Sequence, residues 1–312
     1  MEIMKLKPIP KQTIWGENAV GKYFGYDDFP DDTGQTWCIS AHEEGTNVIL
    51  DGPYAGRTLK DLWENNHELF QTKTKRFPWI IGLVGPADDL SVQVHPDNEY
   101  TIQHHLIDTG KNEGWYFFRC EENSTIVYGH TAKTFDEFKE RVLKDEWDEL
   151  LGHLPVHEDD FIYIPAKTIH AMGKGVLVYE IQQNSNLTYR LFDYHRKDAN
   201  GNERQLHLQE AFDNINIPYI REENKESVIY QNGQRIRTLA SNDSFELTLI
   251  DVKDRVQFNP KNHYSFISVL DGLGTLNDTN IKLGNHLLVL GDEEMIFKGK
   301  MKLIICNERK SI

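Results

Sequence analysis

Apolar and polar positions along this chain fall mostly into short runs rather than long helical periods. Segments 46–50, 79–83, 114–119, 124–128, 161–164 and 175–182 are rich in β-branched and aromatic residues and are separated by Gly, Pro, Asn or Asp. Each therefore predicts a strand. A second series at 227–230, 245–252, 265–270, 275–282, 286–290 and 302–306 continues the same rhythm. Short strands at such spacing, without an alternating strand–helix pattern, predict a mainly β, antiparallel barrel or sandwich. Three stretches follow a helical period instead: 59–70, 134–151 and 208–215. In the longest, Thr134 can cap the first turn, with Glu137 three residues on. Phe135, Phe138, Val142, Trp147 and Leu151 mark one face. Residues 216–226 turn polar and charged after Pro218, which places a boundary between units 1–220 and 221–312.

One strand breaks the apolar pattern in an informative way. In Leu-Ser-Val-Gln-Val-His-Pro-Asp at 90–97, Gln93 and His95 alternate with Val92 and Val94 and so point to one face. Glu113 opens a further strand, and His170 ends Pro-Ala-Lys-Thr-Ile-His at 165–170. If they face inward, such groups need partners to offset the cost of leaving water. Imidazole nitrogen and carboxylate oxygen together suit a borderline divalent cation, and an open coordination position would make that cation a Lewis acid. Lys111, two residues before Glu113, and Ser91, two before Gln93, share those faces. His104, His105, His153, His157, His195 and His207 read as solvent-facing. The C-terminal series holds only His263 and His286 and reads as structural or interface-forming.

Composition narrows the function. The chain has 312 residues, with 49 acidic against 34 basic side chains and a net charge of −15. That balance argues against nucleic acid or an anionic membrane as partner, and an anionic substrate would need a local basic pocket. No apolar run has the length of a membrane span, and residues 1–11 lack a signal-peptide core, so a cytoplasmic protein is expected. Cys38, Cys120 and Cys306 show no paired spacing and read as reduced core thiols. No Gly-rich nucleotide loop is present, so no nicotinamide or flavin cofactor is expected.

Taken in order, the motif at 90–97, Lys111-x-Glu113-x-Trp115-Tyr116, Pro-Ala-Lys-Thr-Ile-His-Ala at 165–171 and Gln-Gln-Asn-Ser-Asn-Leu-Thr-Tyr-Arg-Leu-Phe-Asp-Tyr at 182–194 resemble type I mannose-6-phosphate isomerases, most closely their short bacterial branch. The early Trp15-Gly16 and the two-unit layout extend the resemblance over nearly the whole chain. It implies tandem cupin-like antiparallel β-barrels, one zinc ion per chain, and interconversion of mannose 6-phosphate and fructose 6-phosphate through an enediol(ate). Carried over by motif, His95, Glu113 and His170 are the zinc ligands. Gln93, a neutral amide, is a fourth ligand or a neighbour of the ligands. Arg190 carries a catalytic role and Lys111 acts as acid–base group and phosphate partner. Ser91, Lys111, Arg190 and Trp15 bind the substrate. Trp115 and Tyr116 are further candidates for the pocket wall, Trp115 more readily for core packing. Lys167 departs from the general cupin pattern, which prefers Gly there, and it could add positive charge at the mouth of the site. The resemblance further implies a small sugar phosphate as partner and a monomer. The alternatives are another metal-dependent cupin enzyme, such as a dioxygenase or a phosphoglucose isomerase, and a non-catalytic sugar-binding cupin.

Overall fold

The apolar runs assemble into three antiparallel sheets in a computed structural model that describes residues 1–197 and 200–309. A seven-stranded sheet runs in the order Phe161–Ile164, Glu113–Cys120, Val176–Gln183, Trp79–Val84, Thr33–His42 and Ile9–Gln12, with Gly45–Thr46 paired beside Thr33–His42. A five-stranded sheet runs Tyr189–Phe192, Val92–Val94, His170–Met172, Thr125–His130 and Leu151–Pro155. These two sheets pack face to face. Trp115, Phe117, Val84 and Val178 from the first meet Ile126, Tyr128 and Met172 from the second in one buried cluster. The central strands of the seven-stranded sheet are buried on both faces, so they read as nearly continuous apolar runs.

The outer face of the five-stranded sheet is covered by helices. Val92, Val94, Val127, Ala171 and Leu191 pack against Phe138 and Val142 of helix Phe135–Leu143 and Phe212 of helix Leu208–Asp213. The outer face of the seven-stranded sheet meets a nine-stranded C-terminal sheet, with Trp79, Ile81, Tyr116 and Ile181 against Leu249, Tyr264, Phe266 and Ile304. Cys38 and Cys306 lie in that same core, Cys120 is half-buried, and all three are free thiols. Strand Glu2–Leu6 pairs with His286–Leu290, so the first residues of the chain belong to the C-terminal sheet. No helix among the described residues is long and apolar enough to cross a membrane.

Several expected elements end earlier than their patterns suggest. Thr134 caps its helix as read, accepting the Glu137 N–H at 3.2 Å, but the Glu137 carboxylate reaches back to the Lys133 N–H at 2.8 Å. The helix then stops at Leu143, because Asp145 turns left-handed with φ 61°. Trp147 starts a separate turn, Leu151 begins a strand, and Phe135 is 44% exposed. Segment 59–70 divides into helix Leu59–Asn65 and a tighter turn at His67–Phe70. Segment 275–282 is a hairpin, since Asn277 and Asp278 both take positive φ, at 45° and 67°. Asn and Asp tolerate that region better than most residues, which is how a turn forms there without Gly or Pro.

Candidate metal centre

Register brings the candidate residues together. On the five-stranded sheet, Gln93 sits opposite Arg190 on one side and His170 on the other. On the facing seven-stranded sheet, Glu113 pairs with Gln182, and Trp115 with Glu180. Val92 and Val94 point to the helices, so Gln93 points inward between the sheets. Just beyond the strand, His95 is followed by Pro96, and Asp97 caps helix Asn98–Gln103 by accepting the Tyr100 N–H at 2.8 Å. The Lys167 N–H donates to the His95 carbonyl at 2.8 Å, which ties the two histidine-bearing segments to each other.

Three donor atoms converge. The Nε2 atoms of His95 and His170 are 3.2 Å apart. Glu113 Oε1 lies 3.2 Å from the first, and Oε2 lies 3.6 Å from the second. All three side chains are at most 1% exposed. Each histidine Nδ1 faces a backbone carbonyl at 2.8 Å, from Leu187 for His95 and from Thr168 for His170. A carbonyl only accepts, so each proton sits on Nδ1 and each Nε2 presents a lone pair. Glu113 Oε2 is buried without any hydrogen-bond partner. Two imidazole lone pairs and a carboxylate thus face one another with no proton between them. A divalent cation resolves that repulsion and satisfies the orphaned oxygen, so these residues fit a metal ion. The carbonyls that fix each ring are the outer partners such a site needs.

The electrostatics agree with this protonation pattern. Burial pushes the His95 imidazole down to about 3, helped by Lys111, with Glu113 opposing. Burial also lowers His170. Burial alone would raise Glu113, but the Lys111 ammonium outweighs it and holds the carboxyl well below its ordinary range. Lys111 Nζ stands 3.1 Å from Glu113 Oε1. The Gln93 amide reaches the edge of the cluster, with its Nε2 3.5 Å from His170 Nε2.

A cavity of about 520 Å³ opens onto Glu113 and is lined by Trp15, Ser91, Gln93, Lys111 and Arg190 among the residues singled out by sequence. His95 and His170 are not part of its lining. Arg190 donates through Nε to Ser91 Oγ at 3.2 Å and through Nη1 to the Gln205 carbonyl at 2.9 Å. Glu180, Gln182, Gln35 and Arg204 also line the cavity, and sequence reading missed them. Glu180 is 7% exposed and holds the Trp115 indole N–H at 2.9 Å and the Gln35 amide at 2.8 Å. Burial, reinforced by Glu113, pushes its carboxyl up to about 7. Its signal was visible: Glu180 and Gln182 alternate with apolar residues just as Gln93 and His95 do. Arg204 had no such signal. It is held on both sides by the buried Asp193 carboxylate, which also pairs with Arg196. Burial would raise Asp193, but these two guanidiniums hold it below its ordinary range. Arg190, Arg196 and Arg204 thus gather near one buried carboxylate, a local basic patch on a chain of net charge −15.

Some expectations are corrected. Tyr116 points away from the cavity, since its hydroxyl donates to Asp159 at 2.6 Å on the side of the C-terminal sheet. Trp115 takes the core role expected of it: it packs edge-on to His170 with centroids 5.5 Å apart, in a buried apolar cluster and outside the cavity lining. Lys167 takes φ 66°, the positive angle its place in the turn demands, and its ammonium pairs with Asp97 at 2.6 Å and does not line the cavity. His207 is half-buried, and its Nδ1 accepts the Arg190 N–H at 3.2 Å. His104, His105, His153, His157 and His195 are exposed, as read.

Residues 3–114 match the family described as phosphomannose isomerase type I, catalytic domain. The chain is 38% identical to a mannose-6-phosphate isomerase of Bacillus subtilis, ManA, over 92% of this chain and 93% of the relative. It is 37% identical to a mannose-6-phosphate isomerase of Streptococcus mutans, over 88% of each chain. The crystal structure of a Bacillus subtilis mannose 6-phosphate isomerase superposes with a TM-score of 0.94 at 35% identity, covering 98% of this chain and all of that one. Identity of this level over most of the length of the relatives places the chain, on its sequence and its fold together, in the type I phosphomannose isomerase family.

Proposed function

We propose that this protein interconverts mannose 6-phosphate and fructose 6-phosphate, with zinc held by His95, Glu113 and His170. The observation that carries the reading is the convergence of three unprotonated, buried donors beside a cavity of sugar-phosphate size. Gln93 occupies the fourth corner, where its amide either binds the ion or orients a ligand. Zinc bound there would polarise a carbonyl or hydroxyl oxygen of the sugar and stabilise charge developing on it.

The remaining chemistry falls to the side chains. An aldose–ketose exchange through an enediol(ate) moves one proton between C1 and C2 and another between their oxygens. Glu180, a buried carboxyl that lines the cavity and is raised above its ordinary range by burial, takes and returns the carbon-bound proton. Lys111 faces the cavity beside Glu113 and moves the oxygen-bound proton. Arg190 stays protonated, so it stabilises anionic oxygens and does not act as a base. Together with Ser91 and Arg204 it forms the anion-binding end of the cavity, and Trp15 walls the sugar. We read the two halves, 1–220 and 221–312, as tandem cupin-like barrels, the first catalytic and the second structural. The face-to-face antiparallel sheets of the first half support this, with residues 2–6 adding a strand to the second.

The test is direct. Purified protein is expected to convert fructose 6-phosphate to mannose 6-phosphate, to lose activity to a chelator and to regain it with zinc. Metal-loaded protein that gives no turnover rejects the function, and activity that survives complete metal removal rejects the metal.

A further inference from the structure

The two histidine rings of the metal centre are fixed in different ways. His170 takes its carbonyl from Thr168, two residues away in its own segment, so that contact travels with the segment. His95 takes its carbonyl from Leu187, 92 residues away. Leu187 lies in the stretch 184–188, which joins strand Val176–Gln183 to strand Tyr189–Phe192 and belongs to neither. A carbonyl on an irregular stretch orients a ring only as well as the stretch itself is held. The tautomer of His95 therefore depends on whatever anchors that stretch.

Asn186, the residue before Leu187, is gripped at two points. Its backbone N–H donates to Asp108 Oδ2 at 3.0 Å, and its side-chain amide donates to Glu44 Oε2 at 2.7 Å. His42, 5% exposed, locks the two acidic residues to each other. Its Nδ1 accepts the Glu44 N–H at 3.1 Å, so the ring proton lies on Nε2 and is donated to Asp108 Oδ1 at 3.3 Å. Arg76 Nη2 stands 2.9 Å from the same oxygen, which leaves Oδ2 for Asn186. Neither Asp108 nor Glu44 lines the catalytic cavity, although Asn186 does. Asp108 holds the backbone itself and Glu44 only a side chain, so Asp108 constrains the Leu187 carbonyl more directly. We propose that Asp108 is a positioning residue of the metal centre. By holding the backbone at Asn186 it keeps the Leu187 carbonyl on His95 Nδ1–H, and so fixes the tautomer that leaves Nε2 free for an ion. This inference rests on the metal site proposed above.

Proton NMR of the imidazole groups in the full-length, zinc-loaded protein tests this without turnover. Both Nδ1 protons are expected to resist exchange with water, and the His95 signal is identified by its loss in His95→Ala. Asp108→Ala should speed exchange of the His95 proton by about tenfold or more and leave that of His170 unchanged. Metal retention should follow: a chelator is expected to strip zinc from Asp108→Ala about tenfold faster or more than from wild type. His286→Ala, altered in the C-terminal sheet, is the comparison for general loosening and should release zinc at the wild-type rate. If Asp108→Ala does not fold, Asp108→Asn, which keeps one acceptor oxygen, should give smaller changes in the same direction. Equal acceleration at both histidines, zinc release speeded equally by His286→Ala, or no change in exchange or retention overturns the proposal. Wild-type protein that holds no zinc removes the metal reading instead. The exchange contrast between His95 and His170, measured on that metal-free chain, then still decides whether Asp108 holds the ring.

Discussion

The two halves of this molecule bury histidines equally well and use them differently. His95 in the first half and His286 in the C-terminal sheet are both at most 1% exposed, and burial pushes both down to about 3. Their partners separate them. His286 Nδ1 meets Ser268 Oγ at 2.8 Å, and its Nε2 meets Tyr26 Oη at 3.0 Å, so both ring nitrogens have hydroxyl partners that can donate or accept. His95 has one nitrogen fixed by a carbonyl and the other aimed at two further lone-pair donors. Burial and a depressed pKa therefore do not mark a functional histidine. What marks a candidate metal ligand is a nitrogen whose neighbours cannot supply its missing proton.

The contrast breaks most sharply under substitution. His95→Ala is expected to abolish metal retention and lower turnover by about 10³-fold, because the remaining donors lose the geometry that holds the ion. His286→Ala should keep a full complement of metal and lose about 2 kcal/mol of stability, through two unpaired hydroxyls and a small void. Elemental analysis alongside urea unfolding checks both, and equal metal content in the two variants would erase the distinction.

Acid sharpens the same comparison. His286 has a folded value near 3 against 6.5 when unfolded, so its contribution is fully present above pH 6.5 and is lost as pH falls toward 3. The loss is about 1.4 kcal/mol per pH unit below 6.5. The stability deficit of His286→Ala relative to wild type should therefore shrink on acidification, vanish near pH 5 and then reverse. Unfolding free energies measured across this range check it, and a deficit independent of pH would mean the ring is not buried neutral.

The smallest effect concerns the turn before His170. Lys167→Gly relieves a positive φ but loses the ion pair with Asp97, so the net change in stability should stay within about 1 kcal/mol. Thermal unfolding with metal bound measures it. A much larger loss would show that the Lys167–Asp97 contact holds the histidine segments in place.

Most strands were legible because each is a short apolar run that reads the same in any context. Element ends were not. The left-handed turns at Asp145 and at Asn277-Asp278 interrupt patterns that continue smoothly through them, and only packing required the chain to reverse there. The site followed the same division. Gln93, His95, Glu113, His170, Lys111, Ser91 and Arg190 stood out as polar groups in apolar or motif settings. Glu180 carried the same mark unread, and Arg204 carried none.

Local alternation, a property of neighbours along the chain, determined by itself that polar side chains would point inward from particular strands. Which of them meet was decided by tertiary structure, because convergence depends on register between strands distant in sequence: Gln93 against His170, Glu113 against Gln182. The same holds for protonation. The sequence supplies imidazoles and a carboxylate, but only the carbonyls of Leu187 and Thr168, brought in by the fold, place the protons on Nδ1 and leave the lone pairs free to take a cation.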